Sequence, residues 1–230
     1  MAHQNIWQQV QHWASQLLGS DAQQKRGDEH VFCSDSVSSG DAKLDAALPY
    51  RGWPCGFISW LQGDIGVGKT RLALSSVNHA QQAGATTAFL DATYSLCCAQ
   101  IRSQVADPSR VLWLRPATLQ QACCMCQQLV AVEGMRLIFI DGLMALPTQQ
   151  ELHKPLVMSM QRQYKSDLMK QVLSRLSTIV RGTQTALVII HTDPLGNENM
   201  LSPCHVACKV SFINACDKKN TTQLKSQVAF

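Results

Sequence analysis

The sequence predicts an α/β domain in which helices flank a mostly parallel β-sheet. Short apolar runs, typical of buried strands, alternate with amphipathic stretches typical of helices. The chain has 230 residues, 46% of them hydrophobic, which is enough for one such domain with appendages. It shows neither a secretory signal nor an apolar stretch long enough to span a membrane. We therefore expect a cytoplasmic protein without a membrane partner.

The first predicted element is an amphipathic helix. Four apolar residues recur there at helical spacing, namely Ile6, Val10, Trp13 and Leu17. Residues 19–30 are polar and are predicted to form a linker. The apolar stripe must pack against the chain's own core or against a neighbouring subunit, and the sequence leaves both open. We divide the chain into an N-terminal helical arm with its linker at 1–30, a core at 31–216 and a C-terminal tail at 217–230.

The core is predicted to contain six strands and three helices. The strands are expected at residues 57–61, 86–91, 111–114, 136–141, 186–191 and 209–213. The helices are expected at residues 69–82, 117–131 and 166–181. Because strands that alternate with helices are joined by crossover connections, we expect most of them to run parallel.

A glycine-rich motif joins the first core strand to the first core helix. It reads Gly63-Asp64-Ile65-Gly66-Val67-Gly68-Lys69-Thr70 and fits the pattern G-x-x-x-x-G-K-[ST]. The glycines allow a tight turn that aims backbone N–H groups at phosphate oxygens, and the helix adds its positive end. The lysine brings a charge to the phosphates, and the threonine hydroxyl suits Mg²⁺. All eight residues are predicted to bind a nucleoside triphosphate, and Lys69 is also a candidate catalytic residue.

A carboxylate ends the apolar run of residues 137–140. An aspartate in this place can hold the water shell of Mg²⁺ together with the hydroxyl of the glycine-rich motif. Asp141 follows Lys69 by 72 residues, which leaves room for the intervening β/α units. Thr70 and Asp141 are therefore the predicted magnesium residues.

Several segments of the chain resemble the RecA recombinase family. Residues 37–48, 52–56, 89–92 and 140–146 are similar to its S-T-G…L-D…A-L, G-L-P-x-G, F-I-D-A and V-D-S-V-A-A-L segments. The resemblance covers roughly residues 36–215. It implies a RecA-like P-loop ATPase core that uses ATP and Mg²⁺, self-association through an N-terminal helix, and two loops that face single-stranded DNA.

Two segments are similar to one branch of this family in particular. The L-D-A-A-L…G-W-P-x-G stretch at 44–56 and the residues Leu114-Arg115-Pro116-Ala117 are similar to the small ImuA-like homologues of RecA. That resemblance implies an accessory factor of damage-induced (SOS) translesion synthesis, which acts through a RecA-like or polymerase partner.

Four residues depart from the family pattern. Thr93 stands where the family has the glutamate that activates water, and a hydroxyl cannot act as a general base near neutral pH. Cys97 replaces an acidic residue expected near adenine, and His191-Thr192 replaces an Asn-Gln phosphate sensor. Asp193 is the candidate catalytic substitute for the missing base. We therefore predict ATP binding with weak hydrolysis.

The DNA-facing loops carry few cations. Lys154, Arg162 and Lys165 are candidate DNA contacts in the first loop, at residues 147–165, whereas the second, at 193–205, contains no Lys or Arg. The ten cysteines include no C-x₂-C pair, so we predict buried thiols rather than zinc ligands or disulfides.

Three functions remain open at this point. The first is an ATP-binding accessory protein of DNA repair, recombination or translesion synthesis. The second is a strand-exchange recombinase that forms ATP-dependent filaments, and the third is a non-enzymatic scaffold or regulator that holds ATP. The missing glutamate and the sparse loop cations favour the first.

Overall fold

The structure of the protein is a computed structural model. It describes residues 35–48, 50–148, 158–192, 206–213 and 223–227. The predicted N-terminal arm and linker, Lys154 and Asp193 lie outside the described residues.

The described elements alternate between strands and helices along the chain. The strands are β1 (Ser36–Val37), β2 (Trp53–Pro54), β3 (Ile58–Gly63), β4 (Thr86–Asp91), β5 (Val111–Leu114), β6 (Met135–Asp141), β7 (Ala186–His191), β8 (Val206–Ile213) and β9 (Gln223–Gln227). The helices are α1 (Ala42–Ala47), α2 (Lys69–Gln82), α3 (Cys98–Gln104), α4 (Leu119–Leu129) and α5 (Met158–Val180), with 3₁₀ turns at Pro108–Arg110 and Leu143–Ala145.

Seven strands form one sheet in the order β5-β4-β6-β7-β3-β8-β9. The pairs from β5 to β8 are all parallel, and β9 is antiparallel to β8. Strands β1 and β2 form a separate antiparallel pair. The prediction of an α/β fold with a mostly parallel sheet is confirmed. Since parallel strands end at the same edge, the loops after β3, β4, β5, β6 and β7 meet there.

Helices cover both faces of the sheet. Alternate residues of each central strand belong to different cores, as expected for strands buried on both sides. Phe89 and Phe139 lie in the core with the apolar side chains of α2 and α3. Leu90 and Ile140 lie in the core with those of α4 and α5. None of the helices in the described ranges has both the length and the hydrophobicity of a membrane span.

Some element boundaries differ from the prediction. Helix α4 begins at Leu119, because the Thr118 side chain accepts a hydrogen bond from the backbone N–H of Gln121 and caps the helix. Helix α5 begins at Met158 rather than at 166, since the added residues are mostly good helix formers without glycine or proline. Arg162 and Lys165 therefore lie on helical backbone, not in a loop. A strand, β9, also lies within the segment predicted to be a tail.

A buried serine links the segment before the sheet to helix α2. The indole Nε1 of Trp53 donates to the Ser76 hydroxyl oxygen at 3.1 Å, and this hydroxyl lies 2.6 Å from the backbone oxygen of Ser39. All three residues are fully buried. The segment that precedes β3 is thus fixed to the helix that follows the glycine-rich loop.

The structure describes the side chains of six cysteines, and all six are free thiols. Cys55, Cys123 and Cys126 are buried, as predicted for thiols that fill core gaps. Cys97 and Cys98 are exposed, so the prediction is wrong for this pair. The reason is their position at the start of α3, a short helix that buries only Ile101.

Candidate functional site

The loop between β3 and α2 is an open concave turn. Gly66 and Gly68 have φ angles of +83° and +100°, which favour glycine. A Cβ added at either position would meet no atom of the described residues within 4 Å, so space is open beside the loop. Gly68 is the N-cap of α2 and brings no side-chain cap to it. The first N–H groups of α2 therefore face a position suited to an anion.

Lys69 folds back over this loop. Its Nζ donates hydrogen bonds of 2.7 Å to the backbone oxygens of Gly63 and of Asp64. Burial lowers the pKa of Lys69, whereas the carboxylates of Asp141 and Asp64 oppose that decrease. Two of its three ammonium donors are used, which leaves one for a ligand. The side chain of Ile65 is 85% exposed, so only its backbone faces the loop interior.

Asp141 ends β6 close enough to Lys69 for their charges to interact. It pairs in register with Asp91, the last residue of the neighbouring strand β4. Burial raises the pKa of Asp141 to about 6, with a further increase from Asp91 and a decrease from Lys69. A buried carboxylate that is poorly compensated by protein charges suits a cation. A carboxylate and a hydroxyl, the groups of Asp141 and Thr70, are oxygen donors of the kind that Mg²⁺ takes beside phosphate.

We expect Asp141→Asn to stabilise the nucleotide-free protein near pH 7.5 by about 2 kcal/mol. In the unfolded chain an aspartate ionises near pH 4, so a folded-state pKa raised to about 6 removes stability as the pH rises through this window. Below about pH 4 both states are protonated and the variant should lose its advantage. Urea unfolding in EDTA at both pH values measures the difference. Equal stability of the two proteins at neutral pH would contradict the expectation.

Thr93 lies two residues after β4, where its side chain is held by neighbours. Its Oγ1 lies 3.3 Å from Oδ1 of Asp91 and 2.9 Å from Oγ of Ser95. Its methyl carbon would lie 2.2 Å from a Cβ at Gly142, which has a φ angle of +79°. Thr93 and Gly142 therefore fit together only because residue 142 has no side chain.

Asp91 is fully buried and serves a structural role at the end of β4. Its carboxylate accepts hydrogen bonds from the backbone N–H groups of Ser95 at 3.0 Å and Leu96 at 3.2 Å. Its Oδ2 also lies 3.4 Å from Nε of Arg115. These contacts hold the loop that carries Thr93.

Arg115 is a residue whose role the sequence did not indicate. It follows β5, and its guanidinium carbon lies 4.5 Å from the ring centre of Trp113 and 5.0 Å from that of Tyr94. It also donates to the backbone oxygen of Leu96 at 3.1 Å. Only the pairing of β5 with β4 brings these residues together, and no local pattern predicts that pairing.

Two further residues of the predicted site, the proposed phosphate sensor, lie at the end of β7. His191 ends β7 at the same edge of the sheet, with its ring centre 5.4 Å from that of Trp60. Thr192 follows it and is exposed. The structure thus brings the glycine-rich loop, Asp141 and Thr93 to one edge, together with the first residue of the predicted phosphate sensor.

Comparison with known proteins gives a family match. A model of the RecA N-terminal domain family matches residues 7–193. Three proteins described as Protein RecA are similar over 174 residues, or 76% of this chain. That of Clostridium novyi is 30% identical over 49% of its own length, that of Haemophilus ducreyi 31% over 46%, and that of Deinococcus radiodurans 32% over 48%. The chain spans about half the length of the curated relatives it matches.

Proposed function

Because the chain belongs to the RecA family, we propose that it is an ATP-binding protein of DNA recombination or repair. In this proposal, bound Mg²⁺-ATP controls assembly with a second copy or with a partner protein, and hydrolysis is slow. The role resembles that of an accessory factor, including one that assists translesion synthesis after DNA damage. The narrower resemblance to ImuA-like homologues stays a prediction.

The geometry of the 63–70 loop carries this proposal. Its two glycines in the left-handed region, the uncapped start of α2 and the buried Lys69 ammonium converge on one open turn. Such a turn binds phosphates through backbone N–H groups and one positive charge. Mg²⁺, held by Thr70 and Asp141, would neutralise charge on the phosphates.

The residues beside the γ-phosphate position support slow rather than rapid hydrolysis. A general base must accept a proton from water, and the Thr93 hydroxyl is too weak a base to do so. Its oxygen already contacts Asp91 and Ser95. Asp193 is the proposed substitute.

The proposed contacts with DNA and with protein partners are based on charge and on the pattern of apolar residues in the sequence. Lys154, Arg162 and Lys165 would neutralise phosphates of single-stranded DNA, and the net charge of +4 is compatible with this. The amphipathic stripe of residues 5–18 would pack on a second copy or on a RecA-like or polymerase partner. We also propose, from the sequence pattern, the division of the chain into arm, core and tail.

Single-turnover hydrolysis of ATP, with and without single-stranded DNA, tests the proposal. We expect slow turnover that DNA stimulates only weakly, because Thr93 stands where the family has its glutamate base. Rapid turnover stimulated by DNA would instead favour a filament-forming recombinase. Tight binding without any turnover, even with a partner present, would favour an ATP-holding scaffold.

A further inference from the structure

Three side chains form a cation–aromatic stack at the carboxyl ends of β4 and β5. The Arg115 guanidinium contacts the rings of Trp113 and of Tyr94, at 4.5 Å and 5.0 Å from their centres. Both distances lie within the range in which a cation is attracted to an aromatic face. We call this set of three residues the aromatic platform.

Tyr94 is the outer layer of the platform. The residue is 58% exposed, and its ring contacts the guanidinium of Arg115. The residue also has a φ angle of +56°, a conformation that a bulky residue rarely adopts. A flat aromatic surface is therefore held outward, with one side on the guanidinium and the other open to solvent.

The inner layers of the platform are fixed. Arg115 pairs with the fully buried Asp91 and donates to the backbone oxygen of Leu96. Trp113 packs against the core beneath. Because these contacts set the position of the guanidinium in the free protein, a ligand that stacks on Tyr94 orders little on binding.

The platform lies at the same edge of the sheet as the 63–70 loop. Asp91, which holds Arg115, pairs in register with Asp141, and Asp141 interacts with Lys69. Strand β4, which precedes Tyr94, lies three strands from β3 in the sheet, at roughly 14 Å, and β5 lies one strand further. A flexible phosphate-bearing chain bound at the loop can span such a distance.

We propose that the aromatic platform stacks a nucleobase on the open face of Tyr94. An aromatic ring backed by an arginine is typical of base-stacking surfaces, which accept any base through its flat face. An acidic peptide would be attracted only weakly to the platform, because the charge of Arg115 is already paired with that of Asp91. The base comes either from the nucleotide at the loop or from single-stranded nucleic acid. Only the first source depends on the proposed ATP binding.

The test uses the full chain and the variant Tyr94→Gly. Glycine adopts a φ angle of +56° without strain, so this change removes the ring and preserves the loop. Tyr94→Phe keeps the ring and serves as the conservative variant. Tyr50→Gly removes another exposed tyrosine, which stacks on Phe57 away from the platform, and serves as the control. Thermal unfolding checks that each variant folds.

Three probes separate the sources of the base. Calorimetry measures binding of Mg²⁺-ATP and of Mg²⁺-tripolyphosphate, which has no base, and anisotropy measures binding of a labelled single-stranded oligothymidylate. If the nucleotide supplies the base, Tyr94→Gly should weaken ATP binding about tenfold and leave tripolyphosphate binding unchanged. If nucleic acid supplies it, the oligothymidylate should lose a similar factor. Tyr94→Phe and Tyr50→Gly should bind as the natural protein does.

Unchanged affinity of Tyr94→Gly for both ATP and oligothymidylate would overturn the proposal. The proposal would also be overturned if the natural protein bound neither ATP nor oligothymidylate. Loss of tripolyphosphate binding by the natural protein would refute the nucleotide site alone, and the oligothymidylate result would still decide the role of the platform.

Discussion

Replacing Lys69 with alanine is expected to weaken binding of Mg²⁺-ATP by at least about a hundredfold. A hydrogen bond to a charged group contributes roughly 1.5–3 kcal/mol, and the variant would lose both this bond and the attraction between the ammonium and the phosphate charges. The expectation rests on the position of Lys69, which is buried over the loop and 2.7 Å from two of its backbone oxygens.

The same change should leave the nucleotide-free protein folded. The ammonium is a partly desolvated cation, as its lowered pKa indicates, so its removal relieves an unfavourable burial. The natural protein should gain thermal stability when ATP is added, and Lys69→Ala should not. Lys43→Ala, which removes an exposed lysine from α1, is the matched control. Equal ATP affinity of Lys69→Ala and the natural protein would refute the site.

The second large effect is expected from Thr93→Glu, which should raise single-turnover ATP hydrolysis about a hundredfold. A positioned general base contributes roughly 10²–10⁴ in rate. Nearby carboxylates at Asp91 and Asp141 would raise the pKa of the new glutamate and make it a better base.

The packing around Thr93 permits this substitution. The threonine methyl occupies the space beside Gly142, but glutamate has only one γ atom and can place it where Oγ1 now lies. Thr93→Gln has nearly the same shape without a proton acceptor of this strength, so it is the control. If the glutamate and glutamine variants hydrolyse ATP equally slowly, the attacking water is activated elsewhere, and Asp193 becomes the residue to test.

Features encoded by neighbouring residues could be predicted from the sequence. The 63–70 loop and the end of β6 follow local patterns of glycine and apolar residues, and α2, β4, β5 and β7 have the predicted boundaries. The elements β1, β2, α1 and α3 could not be predicted, because they are too short to show a repeating pattern of apolar residues.

Features that depend on distant pairs could not be predicted. The Arg115 contact with Asp91 requires β5 to lie beside β4, and the Thr93 contact with Gly142 requires β4 to lie beside β6. Neither strand pairing can be recognised from the residues of the strands themselves. A single chain therefore indicates which residues bear chemistry more readily than which residues position them.

The buried hydroxyl of Ser76 connects helix α2 to the segment that precedes β3. It joins Trp53 and the backbone of Ser39 to α2, whose first residues form the loop. Tension applied to the polypeptide ahead of Asp35 would first reach the ion pair of Asp35 with Arg136 of β6, and then this anchor. A pull on that part of the chain would therefore be transmitted through the Ser76 hydrogen bonds to the helix that begins at the 63–70 loop.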